Sequence, residues 1–179
     1  MFFTSKKCGS QERDKKYPVT GRKVAVLAAD GVNDEDINKM KMALKEEGAM
    51  AKIIAPKSGM ITGASGDKIK VDKSFLASSS VLFDAVYVPG GKKSINALSE
   101  EADAIHFMNE MFKHFKPIAC DNEAVDMFHN SPAGNKFNKS DEKEAAEQGV
   151  ILNGSPVDLI DAISHHRFWD RKNPAQVPA

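Results

Sequence analysis

Two apolar runs, at residues 24–28 and 51–55, lie on either side of a segment with helical periodicity, and this arrangement limits the fold more than any other feature. Continuous apolar runs of this length are typical of parallel strands that are covered on both faces. Between them, apolar residues recur at helical spacing at Ile37, Met40 and Leu44. A strand, a helix and a second strand in succession predict a βαβ unit with parallel strands and a right-handed crossover.

The rest of the chain continues the alternation of strands and helices. These segments predict a three-layer α/β sandwich with a flavodoxin-like, mostly parallel sheet and helices on both faces. Residues 1–21 are polar and predict a flexible N-terminal tail, whereas residues 22–179 predict one domain. Within that domain the pattern predicts a hairpin excursion (57–73), core strands (85–88, 149–152), helices (98–115, 124–128, 142–148, 156–171) and an exposed loop (130–140). The end of the chain (173–179) is expected to pack loosely or to pair with a partner.

The charge balance and the cysteines argue against several classes of protein. The chain carries 25 basic and 25 acidic residues, so its net charge gives no reason to expect nucleic acid or an acidic membrane as a partner. The first residues lack the apolar stretch of a signal peptide, and no window approaches the roughly 20 apolar residues of a membrane span. Cys8 and Cys120 are too few for a disulfide scaffold. These features predict a cytoplasmic protein.

The run at residues 116–123 is the strongest indication of function. It predicts a short buried strand that ends in a polar turn and opens a helix, where many α/β proteins present a nucleophile. Cys120 is the only cysteine in such a position. Ligands of this architecture bind beyond the carboxyl ends of the strands, so we expect the loops at 30–36, 89–94 and 121–123 to converge. The predicted lining of the site is Asp30, Gly31, Asp36, Gly90 and Gly91.

Several segments carry a resemblance to a known family. A strand that ends in Pro-Gly-Gly (88–91), followed one helix later by Lys-Pro (116–117), resembles the PfpI-type, class I glutamine amidotransferase-like superfamily. Within that superfamily, GRKVAVLAADG at 21–31 and AISHHRFWDR at 162–171 resemble the C-terminal domain of large-subunit catalases more closely. The resemblance extends over residues 21–179, which is nearly the whole predicted domain.

The resemblance also limits the expected chemistry. Large-subunit catalases carry a long haem-binding body ahead of this domain, which 179 residues cannot contain. That body needs a tyrosinate as haem ligand, and this chain has only Tyr17, in the predicted tail, and Tyr87, in a predicted core strand. We therefore expect no cofactor and no dismutation of peroxide by this chain alone. It is either a free-standing relative of the catalase domain or a fragment.

Catalytic members of the superfamily imply where a nucleophile would stand. Counted from the Lys-Pro pair at 116–117, the elbow between strand and helix falls on Asn122, and Cys120 lies two residues earlier, in the strand. Two strand residues span about 6.6 Å, roughly twice a near-attack distance. Asparagine suits the strained turn of an elbow because it tolerates positive φ. The acidic neighbours Asp121 and Glu123 would raise the pKa of the thiol.

An active enzyme is the alternative. If the strand is two residues shorter, Cys120 itself is the elbow, and Asp36 matches the carboxylic acid that active members place against the thiol. Asp36 also has a simpler interpretation, as a residue of the first helical turn that caps the helix. His129, His165 and His166 match no known spacing of metal ligands, so we predict no metal site.

Three functions stay open on the sequence alone. A retained frame without a nucleophile favours a non-catalytic accessory domain that acts in assembly, stability or chaperone-like client binding under oxidative stress. The alternatives are a cysteine-dependent hydrolase or deglycase that uses Cys120 with Asp36, and an interaction module that docks on a separate catalase. As partners we expect further copies of the chain or a catalase-like protein, and neither nucleic acid nor a membrane.

Overall fold

The computed structural model describes residues 16–172 and 174–178, and its centre is a six-stranded parallel sheet. The order across this sheet is β5-β2-β1-β6-β7-β8, and every neighbouring pair is parallel. A separate antiparallel hairpin consists of β3 and β4. The strands are β1 (Lys23–Leu27), β2 (Met50–Ala55), β3 (Met60–Thr62), β4 (Lys68–Lys70), β5 (Lys73–Ser74), β6 (Ala85–Val88), β7 (Ile118–Cys120) and β8 (Val150–Leu152).

Helices cover both faces of the sheet, so the predicted three-layer sandwich is confirmed. Alternate residues of β1 enter two cores: Val26 packs with α1 and α6, whereas Leu27 packs with α2, α3 and α4. The alternation follows from the period of two along a strand. The helices are α1 (Asp34–Glu46), α2 (Lys92–Glu100), α3 (Ala102–Lys113), α4 (Glu123–Asn130), α5 (Glu142–Glu147) and α6 (Pro156–Ser164).

The helix predicted at residues 98–115 is wrong at both ends. The segment contains the end of α2 and the whole of α3, and the extended backbone of Glu101 (φ −89°, ψ 105°) separates them. Phe115 lies beyond the helix with a φ of 60° and packs on the ring of Trp169, 5.1 Å between centroids. The periodic apolar positions Met108 and Phe112 lie within α3 and are fully buried.

Three further predictions near the C-terminus need correction. The final helix ends at Ser164 rather than at residue 171, because the chain reverses at His166, where φ is 65°. The loop at 130–140 is not wholly exposed, since Phe137 is buried and lies edge-on to Phe112. The end of the chain is not loosely packed either, because Val177 is 2% exposed and belongs to the core beside α3.

The end of the predicted tail contacts the domain. Lys16 pairs with Asp161 at 2.5 Å, the backbone N–H of Tyr17 donates to Ser164, and Val19 is buried. Residues 1–15, which include Cys8, lie outside the described residues. None of the helices in the described part is long and apolar enough to cross a membrane.

Candidate functional site

The turn between β7 and α4 holds an asparagine in a left-handed conformation. Asn122 has a φ of 52° and a ψ of −122° and directly precedes α4. Few residues other than glycine adopt a positive φ, and asparagine is among the most tolerant. The N–H of Asn122 donates to the side-chain oxygen of Asn153 (2.7 Å), and the N–H of Asn153 donates to the carbonyl of Cys120 (2.9 Å). The turn is therefore fixed from the neighbouring strand end.

Asn153 was missed by sequence reasoning, although a signal was available. An Asn-Gly pair directly after β8 is turn chemistry, and Asn153 adopts a φ of 49°. Its role depends on β7 and β8 being parallel neighbours, which places both of their carboxyl ends at one edge of the sheet. Only the strand order reveals that Asn153 lies against Asn122.

The loops that were expected to converge at this edge do so. The side-chain amide of Asn122 contacts a carboxylate oxygen of Asp36 at 3.5 Å. A Cβ atom placed on Gly90 would lie 2.8 Å from the same amide nitrogen. The carbonyl of Gly90 accepts from the N–H of Asn33 (2.8 Å), which joins the loop at 30–36 to the loop at 89–94.

One of the predicted lining residues, Asp30, has another role. The carboxylate of Asp30 accepts from the N–H of Thr62 (2.7 Å), so it holds the hairpin rather than the elbow. Asp36 does not cap α1. The side chain of Asn33 caps this helix, and the carboxylate of Asp36 contacts Asn122 instead.

Cys120 lies inside β7 and is fully buried. Its backbone pairs with Val88 on one side and Leu152 on the other, and its side chain belongs to the core formed with α3 and α4. Burial in apolar surroundings raises the pKa of the thiol far above its ordinary value, and the charge of Asp121 raises it further. Asp121 is the carboxylate whose charge acts on the Cys120 thiol, whereas the carboxylate of Asp36 contacts Asn122.

Acidic groups surround the elbow, each held by a donor. The hydroxyl of Tyr87 donates to Asp121 at 2.6 Å, while burial and the nearby charge of Asp36 raise the pKa of that carboxyl. The carboxylate of Glu123 accepts from the N–H of Gly91 at 3.1 Å, which lowers the pKa of Glu123. An amide N–H at this place could otherwise donate to a developing oxyanion. Here it is occupied by the chain's own carboxylate.

The histidines are not gathered into a metal site. His129 is buried on α4 near the carbonyl of Gly134, whereas His165 ends α6 and pairs with Asp161. Among residues 16–172 and 174–178, no group of three His, Cys, Asp or Glu side chains could hold a metal ion.

Gly91 lies in the loop between β6 and α2, and its substitution by alanine should be strongly destabilising. Its φ is 121°, and a Cβ atom there would lie 2.5 Å from the carbonyl oxygen of Gly31. Backbone strain alone costs about 1–3 kcal/mol, and the collision with a backbone atom adds to it. We expect a loss of about 3 kcal/mol or more, measured by urea unfolding.

Gly59→Ala is the matched control for this change. Gly59 has a similar φ of 112°, but no atom lies within 4 Å of its would-be Cβ. Its substitution therefore reports conformational strain without the collision. Equal losses of unfolding free energy in the two variants would show that the close approach between the Gly31 and Gly91 loops does not contribute.

Comparison with known proteins identifies the family of this chain. The model of the C-terminal domain found in long catalases matches residues 20–173. The chain belongs to this family of catalase C-terminal domains. It is 33% identical over 180 residues to catalase HPII of Mycobacterium avium (95% of this chain, 25% of the relative). It is 34% identical over 170 residues to catalase-2 of Bacillus subtilis (91% of this chain, 23% of the relative).

Solved structures that resemble this catalase C-terminal domain include DJ-1 and ThiJ/PfpI proteins. A ThiJ/PfpI domain protein from Brachyspira murdochii superimposes with a TM-score of 0.62 at 16% identity, covering 82% of this chain and 95% of that one. DJ-1 of Toxoplasma gondii gives 0.62 at 14% identity, covering 80% and 87%. At such identities the likeness concerns the fold alone. The predicted resemblance to both groups is thus confirmed.

Proposed function

We propose that this catalase C-terminal domain is a non-catalytic accessory domain, which acts in assembly, stability or chaperone-like client binding under oxidative stress. The conformation of Asn122 carries the proposal. A residue with a φ of 52° at the junction of a strand and a helix occupies the position where related folds would present a nucleophile. An asparagine amide is not nucleophilic, so the frame lacks the group that would start covalent catalysis.

The surroundings of the elbow support the same proposal. A working thiol needs access and a lowered pKa, whereas Cys120 is 0% exposed and its pKa is raised. The Gly91 amide, which could otherwise stabilise an oxyanion, donates to Glu123. Three carboxylates near Asn122 would also repel an anionic intermediate, as expected for a site that no longer turns over acyl substrates.

The described residues do not fit a haem. The Tyr87 hydroxyl is buried and donates to Asp121, and the Tyr17 ring packs against His166, 5.7 Å between centroids. The chain spans about a quarter or less of the curated catalases that it matches. Peroxide dismutation by those proteins is therefore not transferred to this chain, and no step of the proposal passes through haem.

The proposal includes a protein partner, either a catalase or further copies of the chain. Membership of a family that forms one domain of catalases supports it. Large apolar side chains also stand in solvent, including Leu76 (90% exposed), Val81 (70%) and Trp169 (62%). Exposed aromatic and aliphatic groups of this size are typical anchors of interfaces. Cytoplasmic location is part of the proposal, and the free thiol of Cys120 agrees with a reducing compartment.

An assay of the purified chain with three substrate classes tests the proposal. We expect no turnover of peroxide, methylglyoxal adducts or amide substrates above that of an unrelated protein, and no change in Cys120→Ser or Asp36→Asn. Turnover that either substitution abolished would establish a cysteine-dependent hydrolase or deglycase instead. Sedimentation of the chain alone, and in a mixture with a long catalase, distinguishes self-association from docking on catalase. A chain that stays monomeric and does not bind catalase would contradict the assembly role.

A further inference from the structure

A group of charged residues lies at the amino ends of the strands, at the edge of the sheet opposite the elbow. Arg22 directly precedes β1 and Asp84 directly precedes β6, while Lys116 lies two residues before β7. The three strands are adjacent and parallel, so their starts lie side by side. The N–H of Lys23 donates to Asp84 at 2.9 Å, which ties the first two strand starts together.

The segment that follows α6 returns to the same edge. The N–H of Phe168 donates to the carbonyl of Phe115 at 2.9 Å, directly beside Lys116. This contact brings His166 and Arg167 to the strand starts. We name Arg22, Lys116, His166 and Arg167 the cationic cluster.

The cationic cluster has more positive charge than its carboxylates neutralise. Arg22 pairs with Asp84 at 2.8 Å, and the other oxygen of Asp84 accepts from the backbone. Lys116 is 4% exposed, and its ammonium group donates to the neutral carbonyl of Ser80 at 2.8 Å. The guanidinium of Arg167 donates to the carbonyl of His166 at 2.8 Å, and it has no carboxylate within 4.0 Å among the described residues.

The members of the cationic cluster repel one another. Burial lowers the pKa of Lys116 to about 8, and the charge of Arg167 contributes to the lowering. The pKa of His166 is lowered by burial and then by Arg167 and Arg22. Asp84 and Glu110 are the carboxylates that act on Lys116, and Asp84 also acts on Arg167. Asp84 is already paired with Arg22, and Glu110 on α3 pairs with Lys113 (3.9 Å) and His114 (3.1 Å). A bound anion would relieve this repulsion.

We infer that the cationic cluster binds a doubly charged tetrahedral oxyanion of the phosphate type. Two cations, Lys116 and Arg167, lack a carboxylate of their own, so a dianion matches their charge. The half-exposed fork of Arg167 can donate two parallel hydrogen bonds to such a group. The Nδ1 atom of His166 lies 3.5 Å from Nη1 of Arg167, and Lys116 contributes a buried positive charge. The oxyanion could be free phosphate or the phosphate of a monoester.

Titration of the full chain with inorganic phosphate tests this site. The NMR signal of the His166 ring, assigned by its loss in His166→Asn, reports binding, and sodium chloride holds the ionic strength constant because screening alone alters exposed charges. We expect a saturable shift of that signal. Arg167→Gln should weaken the affinity at least tenfold, because it removes the guanidinium that donates both charged hydrogen bonds. Asp84→Asn should tighten it, since it removes the competing carboxylate.

Lys39→Gln is the matched control, because Lys39 is an exposed cation on α1 that pairs only with Glu35 (3.7 Å) among the described residues. The Lys39→Gln variant should bind phosphate with the same affinity as the parent chain. If methyl phosphate binds as tightly as inorganic phosphate, the ligand class is a phosphate monoester. If inorganic phosphate binds and methyl phosphate does not, the ligand is the free ion. No saturation beyond the effect of chloride, equal affinity for acetate, or unchanged affinity in Arg167→Gln and Asp84→Asn would each overturn the inference.

Discussion

Replacement of Arg171 by methionine is expected to destabilise the domain by about 3 kcal/mol or more. The Arg171 side chain is buried and donates to three backbone carbonyls, those of Gln148 (2.8 Å), Phe112 (2.8 Å) and Lys116 (2.9 Å). These carbonyls belong to the end of α5, the end of α3 and the approach to β7. One guanidinium therefore joins three elements that are distant in the sequence.

Burial of a charge is itself costly, yet removal of the Arg171 charge is expected to destabilise the domain. Burial lowers the pKa of Arg171 to about 9, which leaves the group charged at neutral pH. Replacing a buried ion by an apolar side chain is often neutral when its partners are also replaced. Here the partners are backbone carbonyls, which remain and lose a strong donor. The guanidinium also lies 4.6 Å from the centroid of the Phe112 ring, a cation–π contact that methionine cannot replace.

Urea unfolding of Arg171→Met measures this loss, and Lys172→Met provides the control. Lys172 is the next residue, but it is exposed and pairs with Glu144 on the surface. Its substitution should leave the unfolding midpoint close to that of the parent. If Arg171→Met unfolded at the parental midpoint, the three carbonyls would have to find other donors, and the bracing role of Arg171 would be wrong.

Sequence patterns predicted those strands and helices that depend on the order of neighbouring residues along the chain. The apolar runs of β1 and β2 and the periodicity of α1 fixed the βαβ unit, because burial of strands and helices is periodic. The break between α2 and α3 escaped prediction, since residues on both sides of Glu101 favour a helix and only the extended backbone at that residue separates them. Periodicity detects buried faces more readily than changes of direction between two helices.

Contacts between residues distant in the chain could not be predicted in the same way. Arg171 finds its acceptors 23 to 59 residues earlier, and nothing in its neighbourhood distinguishes it from an exposed arginine. Asp36 contacts Asn122 across 86 residues; its sequence position predicted a place in the lining of the site, but not this contact. The placement of Asn122 at the turn was accessible because counting from the Lys-Pro pair is a local operation. Its bond to Asn153 was not, as it needs the order of strands.

A thiol at position 120 and a thiol at position 122 are expected to differ strongly in their rates of alkylation. In a variant with Cys8→Ser, the buried Cys120 is expected to react with iodoacetamide only when the domain unfolds, since its thiol is 0% exposed and its pKa is raised. Native-state protection then follows the free energy of unfolding, so alkylation should be slower than that of a free thiol by about a thousandfold or more.

Asn122→Cys, added to Cys8→Ser and Cys120→Ser, places a thiol on an exposed turn at the start of α4. That thiol should react within a few-fold of the rate of a free cysteine, because a helix N-terminus favours the thiolate while the nearby carboxylates oppose it.

Because the two variants share one fold, the ratio of their alkylation rates reports the effect of the position of the thiol. Mass spectrometry after timed alkylation gives both rates, and the same reaction in urea gives the upper limit for Cys120. Should Cys120 react as fast in the folded state as in urea, its burial would be wrong and a cysteine enzyme would again be the better hypothesis. A protected thiol at position 122 would contradict the exposed elbow. The expected pattern, with a reactive position held by asparagine and an inert cysteine two residues before it, would mean that the fold still presents a side chain for chemistry and that the residue at that position no longer performs it.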